Sequence, residues 1–549
     1  MKFATVRSFL SALTLVALAA CGGGATGGAP SLVPGHGDSA SKPPPQSGIL
    51  SKIVGVGDSL TAGYQSDGFL GETGIRNPND KSHQIPPNQA TGFWADLVEQ
   101  ASGESLDKAI GDMFDPAVSP LPLIKGPGLD NQIIPSGNPY FPIAQLKTGD
   151  VCTDNNGFNL AGYRLRGAPR VRLNPTSKTI RNVGIPGLTL HEANVLHAPQ
   201  SSTCKELSGI PGLLNLVIAE ESGTFWPVLL NFTNQKGNLT EVNAAASLHP
   251  TLATVWLGAN DVLKYMGSGG RFVGGDRNAS QAESDLRATI STLQHAGARV
   301  VVANLPNILQ TGFFQRVTTP NPKSNCAIRT YAWCLLSTQG LQSVLPEISQ
   351  KYGLATPGGC VPASTDKPCG YLTLPGVIAI IQYYNSYGQL PNLDCTVPVK
   401  GCKAPRGNGL GSNYITPEFA GKIQALNNAI NQGIDNAATA SNVPLVDISS
   451  IFSGLASGNP SNPYFQLAAS INPGKCCSLG YLYGITSFDG LHPSNTGYAL
   501  IAYAFIQTIN KAYGTHIPQI DLVAAYKGTR CSNPHYCYPD PYAPPNDGI

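Results

Sequence analysis

Five short runs of apolar, largely β-branched residues punctuate the chain: Ile53 to Val56, Thr179 to Val183, Ala253 to Leu257, Arg299 to Ala303 and Val443 to Ile448. Helical or irregular sequence separates each from the next, the alternation expected of an α/β fold with a parallel sheet. Elsewhere the apolar period changes. From Pro417 to about Thr439, Phe419, Ile423, Leu426, Ile430 and Ile434 recur at three- and four-residue steps, which predicts a helix with one buried stripe. Gln281 to Ala296 has helical character, with Gly297 placed to cap its C-terminus, and Asn495 to Tyr513 predicts the last helix. Stretches at about 65–175, 200–250 and 306–415 are irregular and rich in Gly, Pro, Asn and Cys. Loops that long are unusual in a compact domain, and they read as insertions over one face of the sheet.

The first residues have a pattern of their own. Lys2 and Arg7 precede an apolar run from Phe9 to Ala20 that is too short to span a bilayer, which predicts a signal peptide over 1–20. Leu18, Ala19, Ala20 and Cys21 resemble the lipobox of bacterial lipoproteins, where the cysteine carries a diacylglyceryl group and becomes the mature N-terminus. Ordinary secretion, with Cys21 at a small-residue cleavage site, is the alternative. Gly22 stands where an aspartate would retain a Gram-negative lipoprotein at the inner membrane. The expected location is therefore the cell envelope, lipid-anchored, at the outer membrane if the cell is Gram-negative, and otherwise the exterior. Residues 21–48, dominated by Gly, Pro, Ser and Ala, read as a tether. Residues 49–549 are expected to form one large domain with insertions, two domains being the alternative that length leaves open.

Composition narrows the partners. Lys and Arg total 35 against 33 Asp and Glu, and only 12% of residues are charged, so there is no electrostatic footprint for nucleic acid or an anionic membrane surface. Contact with a membrane is expected only through the N-terminal lipid. If Cys21 of the 13 cysteines is lipidated, an even number remains in a compartment where disulfides persist. Proximity in sequence favours Cys326 with Cys334, Cys360 with Cys369, Cys395 with Cys402 and Cys531 with Cys537, leaving Cys152, Cys204, Cys476 and Cys477 to pair among themselves. Zinc is a poorer use for these thiols, since no C-x-x-C pair occurs and the histidines do not cluster with cysteines.

Four segments carry chemistry. Gly57-Asp58-Ser59-Leu60 ends the first strand run, and in open α/β sheets ligands sit at the carboxyl ends of strands. Two other uses of that turn compete: a dinucleotide loop, although Leu60 replaces the third glycine, and a plain helix N-cap. Asp489-Gly490-Leu491-His492 precedes the last helix. An aspartate three residues before a histidine can accept the imidazole Nδ1 proton and leave Nε2 free to take one from a serine; the bland alternative is a helix start with Ser494 as its cap. Asn182 to Gly187 and Gly258-Ala259-Asn260-Asp261 end the second and third runs. A glycine lets a backbone N–H approach a substrate closely, and the Asn260 amide can donate without carrying charge, although both segments also make ordinary turns.

In this order, at these places, the four segments resemble the blocks of the SGNH/GDSL hydrolase family: G-D-S-L at Gly57 to Leu60, an asparagine-glycine block at Asn182 to Gly187, G-x-N-D at Gly258 to Asp261 and D-x-x-H at Asp489 to His492. The resemblance covers about half the chain and implies a flavodoxin-like, three-layer α/β/α fold with a five-stranded parallel sheet. It implies Ser59 as nucleophile and first oxyanion donor, the Gly187 N–H and the Asn260 side chain as further donors, His492 as general base and acid, and Asp489 as its orienter. The expected activity is that of a serine esterase or lipase acting on a lipid or small acyl ester, with no cofactor or metal. An acyltransferase on the same chemistry, or a surface protein that keeps the scaffold to bind a ligand or glycan, are the alternatives. No G-x-S-x-G occurs, against the α/β-hydrolase route to the same reaction. Tyr383, Tyr384 and Tyr387 in the third insertion can line a substrate site or pack their own loop.

Overall fold

The computed structural model describes residues 48–65, 75–77, 80–85, 88–125, 128–129, 159–160, 163–166, 171–172, 179–197, 239–267, 269–270, 274–315, 341–352, 354, 360, 364–391, 414–457, 461–471, 484–487, 490–533, 536–537 and 540. Cys21, the signal peptide and nearly all of the tether lie outside these residues. So do Asp489 and the cysteines at 152, 204, 326, 334, 395, 402, 476 and 477. Two of the expected disulfides fall inside them, and both form: Cys360 with Cys369 and Cys531 with Cys537.

Four parallel strands make the central sheet: β1 (Ile53–Gly57), β2 (Leu252–Trp256), β3 (Arg299–Ala303) and β4 (Leu445–Val446), hydrogen-bonded in that order. The run expected as a second strand, Thr179 to Val183, is pinned to the free edge of β1 by a single parallel bridge between Asn182 and Gly55. Gly55 N–H donates to the Arg181 carbonyl, and the Val183 and Ile185 N–H groups donate to the Gly55 and Gly57 carbonyls. A turn at Pro186 and Gly187, closed by the Leu188 N–H on the Ile185 carbonyl, then takes the chain away before a full strand forms. The five runs thus stand in the spatial order second, first, third, fourth, fifth, the flavodoxin-like order. The fifth is shorter than its sequence suggests, because Val443 N–H closes onto Ala438 at the end of the preceding helix.

Strands β1 and β2 are buried at every position and β3 at all but its first, so both alternating faces of the sheet need cover. Two groups of helices supply it. The helices that matter here are α1 (Ser59–Ala62), α2 (Phe93–Ala101), α3 (Leu190–Val195), α4 (Glu241–Ser247), α5 (Ala259–Gly267), α6 (Ala279–His295), α7 (Pro417–Ala440) and α8 (Asn495–Tyr513). Helix α8 packs on α2, where Phe93 stacks on Phe505 at 4.8 Å and meets the edge of Trp256 from the sheet at 5.3 Å. Helices α3, α4 and α7 gather around α6. The close α6–α7 contact depends on Gly433, where an added Cβ would stand 2.4 Å from the Ala279 carbonyl. The amphipathic stripe of α7 buries Ile423, Leu426, Ile430 and Ile434 as its spacing requires.

The insertion expected over 306–415 holds more order than its composition predicts. A three-stranded antiparallel sheet joins Phe314–Gln315, Tyr371–Thr373 and Tyr414–Ile415, and a 14-residue helix runs from Leu374 to Tyr387. Its buried residues Val377, Ile380 and Ile381, with Tyr384 packed against the core, fall at helical spacing, and in sequence Ile378 and Ala379 fill the gap between them. Thr373 caps its start by accepting the Gly376 N–H, and Tyr383 and Tyr387 stand exposed one turn apart with rings 4.6 Å from each other. Among the described residues no helix is long and apolar enough to cross a membrane.

Candidate active site

The strand order brings three segment ends side by side. β1 leads to Ser59, its edge neighbour leads to Gly187, and β2, on the other side, leads to Asn260. This is the topological switch point of the sheet, where a crevice opens because the chain leaves β1 toward one side and returns on the other. Gly57 makes the turn possible: a Cβ there would lie 2.1 Å from Thr61 Oγ1 and 2.5 Å from the Trp256 carbonyl oxygen. Asp58 caps α1, its Oδ1 accepting the Leu60 N–H at 3.0 Å. From beneath, Glu241 Oε1 accepts the Gly57 N–H at 2.7 Å. The Asn182 side chain stitches the neighbouring segment to this turn, with Nδ2 donating to the Thr61 carbonyl at 2.7 Å and Oδ1 accepting the Gly184 N–H at 3.0 Å.

His492 arrives from the other end of the chain on a loop closed by its own backbone. Ser487 N–H donates to the His492 carbonyl and Ser494 N–H to that of Ile485, both at 2.8 Å, around an antiparallel bridge between Thr486 and Pro493. Ser494 then caps α8 by accepting the Gly497 N–H. Ser494 thus starts the last helix, as the helix-start alternative has it, two residues after His492. His492 Nε2 stands 2.9 Å from Ser59 Oγ, across 433 residues of sequence. The Tyr64 ring lies against the imidazole, centroids 4.8 Å apart. Asp489, on the same loop, lies outside the described residues.

The N–H groups of Ser59 and Gly187 donate to no acceptor among the described residues. Gly187 has φ of +83°, a left-handed turn conformation that glycine adopts without strain. Asn260 is more engaged than its sequence suggests: Nδ2 donates to Leu188 O at 3.0 Å and to Asp58 Oδ2 at 3.2 Å. Next to it, Asp261 accepts the Leu190 N–H at 2.9 Å on one oxygen and the Asp276 N–H at 2.6 Å on the other.

The acids beneath the site are buried, and burial dominates their protonation. It pushes Asp58 up to about 7, against the opposing pull of the Leu60 N–H bond and the His492 charge. Asp261 is likewise pushed up to about 7, with its two backbone N–H bonds opposing. Glu241 is driven well above the ordinary carboxyl range by burial, eased by the Gly57 N–H and worsened by Asp58. The structural parts played by Asp58 and Asn182 were open to reading, since both stand inside the quoted motifs. Glu241 carried no signal: it stands at the end of the stretch that reads as irregular, and only the fold gives it a helix and brings it under Gly57.

Residues 378–505 match the family model described as GDSL-like Lipase/Acylhydrolase. The matched stretch contains Asp489 and His492 and ends inside α8, while Ser59, Gly187 and Asn260 lie N-terminal to it. No curated protein and no solved structure matches the chain.

Proposed function

We propose that this chain, a member of the SGNH/GDSL hydrolase family, is a serine esterase that cleaves carboxylic esters through an acyl-enzyme. The observation that carries the reading is the 2.9 Å separation between Ser59 Oγ and His492 Nε2, within the reach a general base needs. With the imidazole neutral, Nε2 accepts the Ser59 proton as Oγ adds to the ester carbonyl, and the same proton goes to the departing alkoxide. Water then attacks the acyl-enzyme with His492 as base, releases the acid and restores Ser59. Asp489, three residues before His492 on its loop, orients the imidazole through Nδ1.

The negative charge of each tetrahedral intermediate needs fixed donors. The Ser59 and Gly187 N–H groups suit this role because both lack an acceptor among the described residues. Asn260 becomes the third donor by turning one N–H from Asp58, its longer bond at 3.2 Å, toward the oxyanion. Lys2, Arg7 and the Leu18 to Cys21 segment support a lipid-anchored place for this activity in the cell envelope.

A fluorophosphonate probe, which reacts only with an activated serine, tests the proposal together with p-nitrophenyl esters of graded acyl length. Labelling and turnover are expected in the wild type and absent in Ser59→Ala and His492→Ala, and the chain-length profile names the acyl class. A folded wild-type protein that is neither labelled nor active on any of these esters would overturn it. Release of acyl products onto added alcohols in preference to water would replace hydrolysis by acyl transfer.

A further inference from the structure

Beyond Asp261 a second cluster of side chains converges, outside the proposed reaction. His191 in α3, Asp285 in α6 and Asp276 just before α6 bring one imidazole nitrogen and two carboxylate oxygens within 4.8 Å of one another. His191 Nδ1 and Asp285 Oδ2 are 2.8 Å apart. Asp276 is only 3% exposed, and its Oδ2 is buried without a hydrogen-bond donor among the described residues. A carboxylate oxygen in that position lacks what water or a donor would supply. Asp261 and Asp285 face it as further carboxyl groups, Asp285 within hydrogen-bonding reach. Lys264, the cation near Asp261, pairs with Glu192 at 2.7 Å.

We infer that His191, Asp276 and Asp285 form a binding site for a divalent transition-metal ion, with Zn²⁺ the best fit. The argument rests on the donor set and its spacing. An ion held at about 2.0–2.2 Å from nitrogen and oxygen ligands sets those ligands roughly 3–4 Å apart, a spacing the cluster reaches with small side-chain adjustments. An imidazole among the ligands favours zinc over calcium or magnesium, which take oxygen alone. The His191 side chain is about half exposed, so a water molecule completes a tetrahedron from the open side. The ion replaces the hydrogen bond between His191 and Asp285, taking Nδ1 and Oδ2 as its ligands. Asp276 N–H and Leu190 N–H both end on the Asp261 carboxylate. Zinc would thus fasten the start of α3 and the approach to α6 to the segment that carries Asn260. No step of the proposed ester hydrolysis passes through it.

Titration calorimetry of the full chain with ZnCl₂, after chelation and dialysis, tests this directly. His191→Ala and Asp285→Asn remove ligands at the partly exposed side of the cluster, and His295→Ala, at the exposed end of α6, serves as control. The wild type and the control are expected to take up about one more Zn²⁺ per chain than either ligand variant. Zinc should raise the unfolding temperature of the wild type, and do so less or not at all in the two variants. Equal zinc uptake by wild type and ligand variants, or none by the wild type, would overturn the assignment. Uptake of CaCl₂ in place of zinc would overturn the choice of a transition metal.

Discussion

Glu241 offers the sharpest test of how the nucleophile turn is held. It is fully buried, its Oε1 accepts the Gly57 N–H at 2.7 Å, and burial drives its carboxyl well above the ordinary range, which favours the neutral acceptor in the fold. Glu241→Gln keeps a neutral acceptor in place and adds an amide NH₂ where Oε2 has no donor to lose; leaving that NH₂ unpartnered costs about 1 kcal/mol. Glu241→Ala leaves the Gly57 N–H buried and unpaired, about 1–3 kcal/mol, and opens a small cavity worth about another 1–2 kcal/mol. Urea unfolding of the three proteins measures both. The pH dependence discriminates further. A carboxyl whose folded value lies above its unfolded value binds more protons when folded, so its contribution is fully present below 4.5 and is lost as pH rises toward the folded value. Wild type should therefore lose up to about 1.4 kcal/mol per pH unit at this group above roughly pH 5, and Glu241→Gln should not. Asp58 and Asp261 titrate in both proteins, so the difference between the two curves reports Glu241 together with its coupling to Asp58. Parallel stability curves from pH 5 to 7, or a Gln variant as unstable as the Ala variant, would refute the neutral-acceptor account.

Asn260→Ala should lower kcat by on the order of a hundredfold, read from p-nitrophenyl ester kinetics; full activity would remove Asn260 from the oxyanion site. Gly57→Ala forces a Cβ into Thr61 Oγ1 and the Trp256 carbonyl, and is expected to cost about 1–3 kcal/mol and to depress turnover by displacing Ser59, both checked on one purified variant. Arg530 pairs with the buried Asp96 and Glu99, so Arg530→Ala should destabilise by about 3–5 kcal/mol at neutral pH. Its Asp96 and Glu99 lose their cation while still buried, and the loss should shrink in acid, where they take up protons; calorimetric scans at pH 5 and 8 show whether it does.

Much of the fold was open to reading because parallel sheets write themselves plainly. Strands buried on both faces need continuous β-branched runs, and the runs at Ile53, Ala253 and Arg299 became β1, β2 and β3. The period of α7 and the cap and length of α8 were equally clear. Less was visible where sequence and pairing part company. The run at Thr179 has strand-like residues, yet the turn at Pro186 and Gly187 leaves it only a bridge with β1. The helix from Leu374 to Tyr387 stayed hidden because Ile378 and Ala379 fill the gap in the Val377, Ile380, Ile381 spacing and blur its period.

For this protein, the sequence alone determined which chemistry is on hand: a serine in a glycine-framed turn, a histidine before the last helix, and two asparagine-bearing segments at strand ends. These are local facts, set by residue type and by turns a few residues long. Tertiary structure decided the rest. It brought Ser59 and His492 to 2.9 Å across 433 residues, placed Glu241 beneath Gly57, turned the Asn260 amide toward Asp58 and Leu188, and gathered His191, Asp276 and Asp285 around one small volume. The physical reason is that contacts between distant residues follow from the order in which strands pair and from what burial does to a carboxyl, and neither is a property of any short stretch of chain.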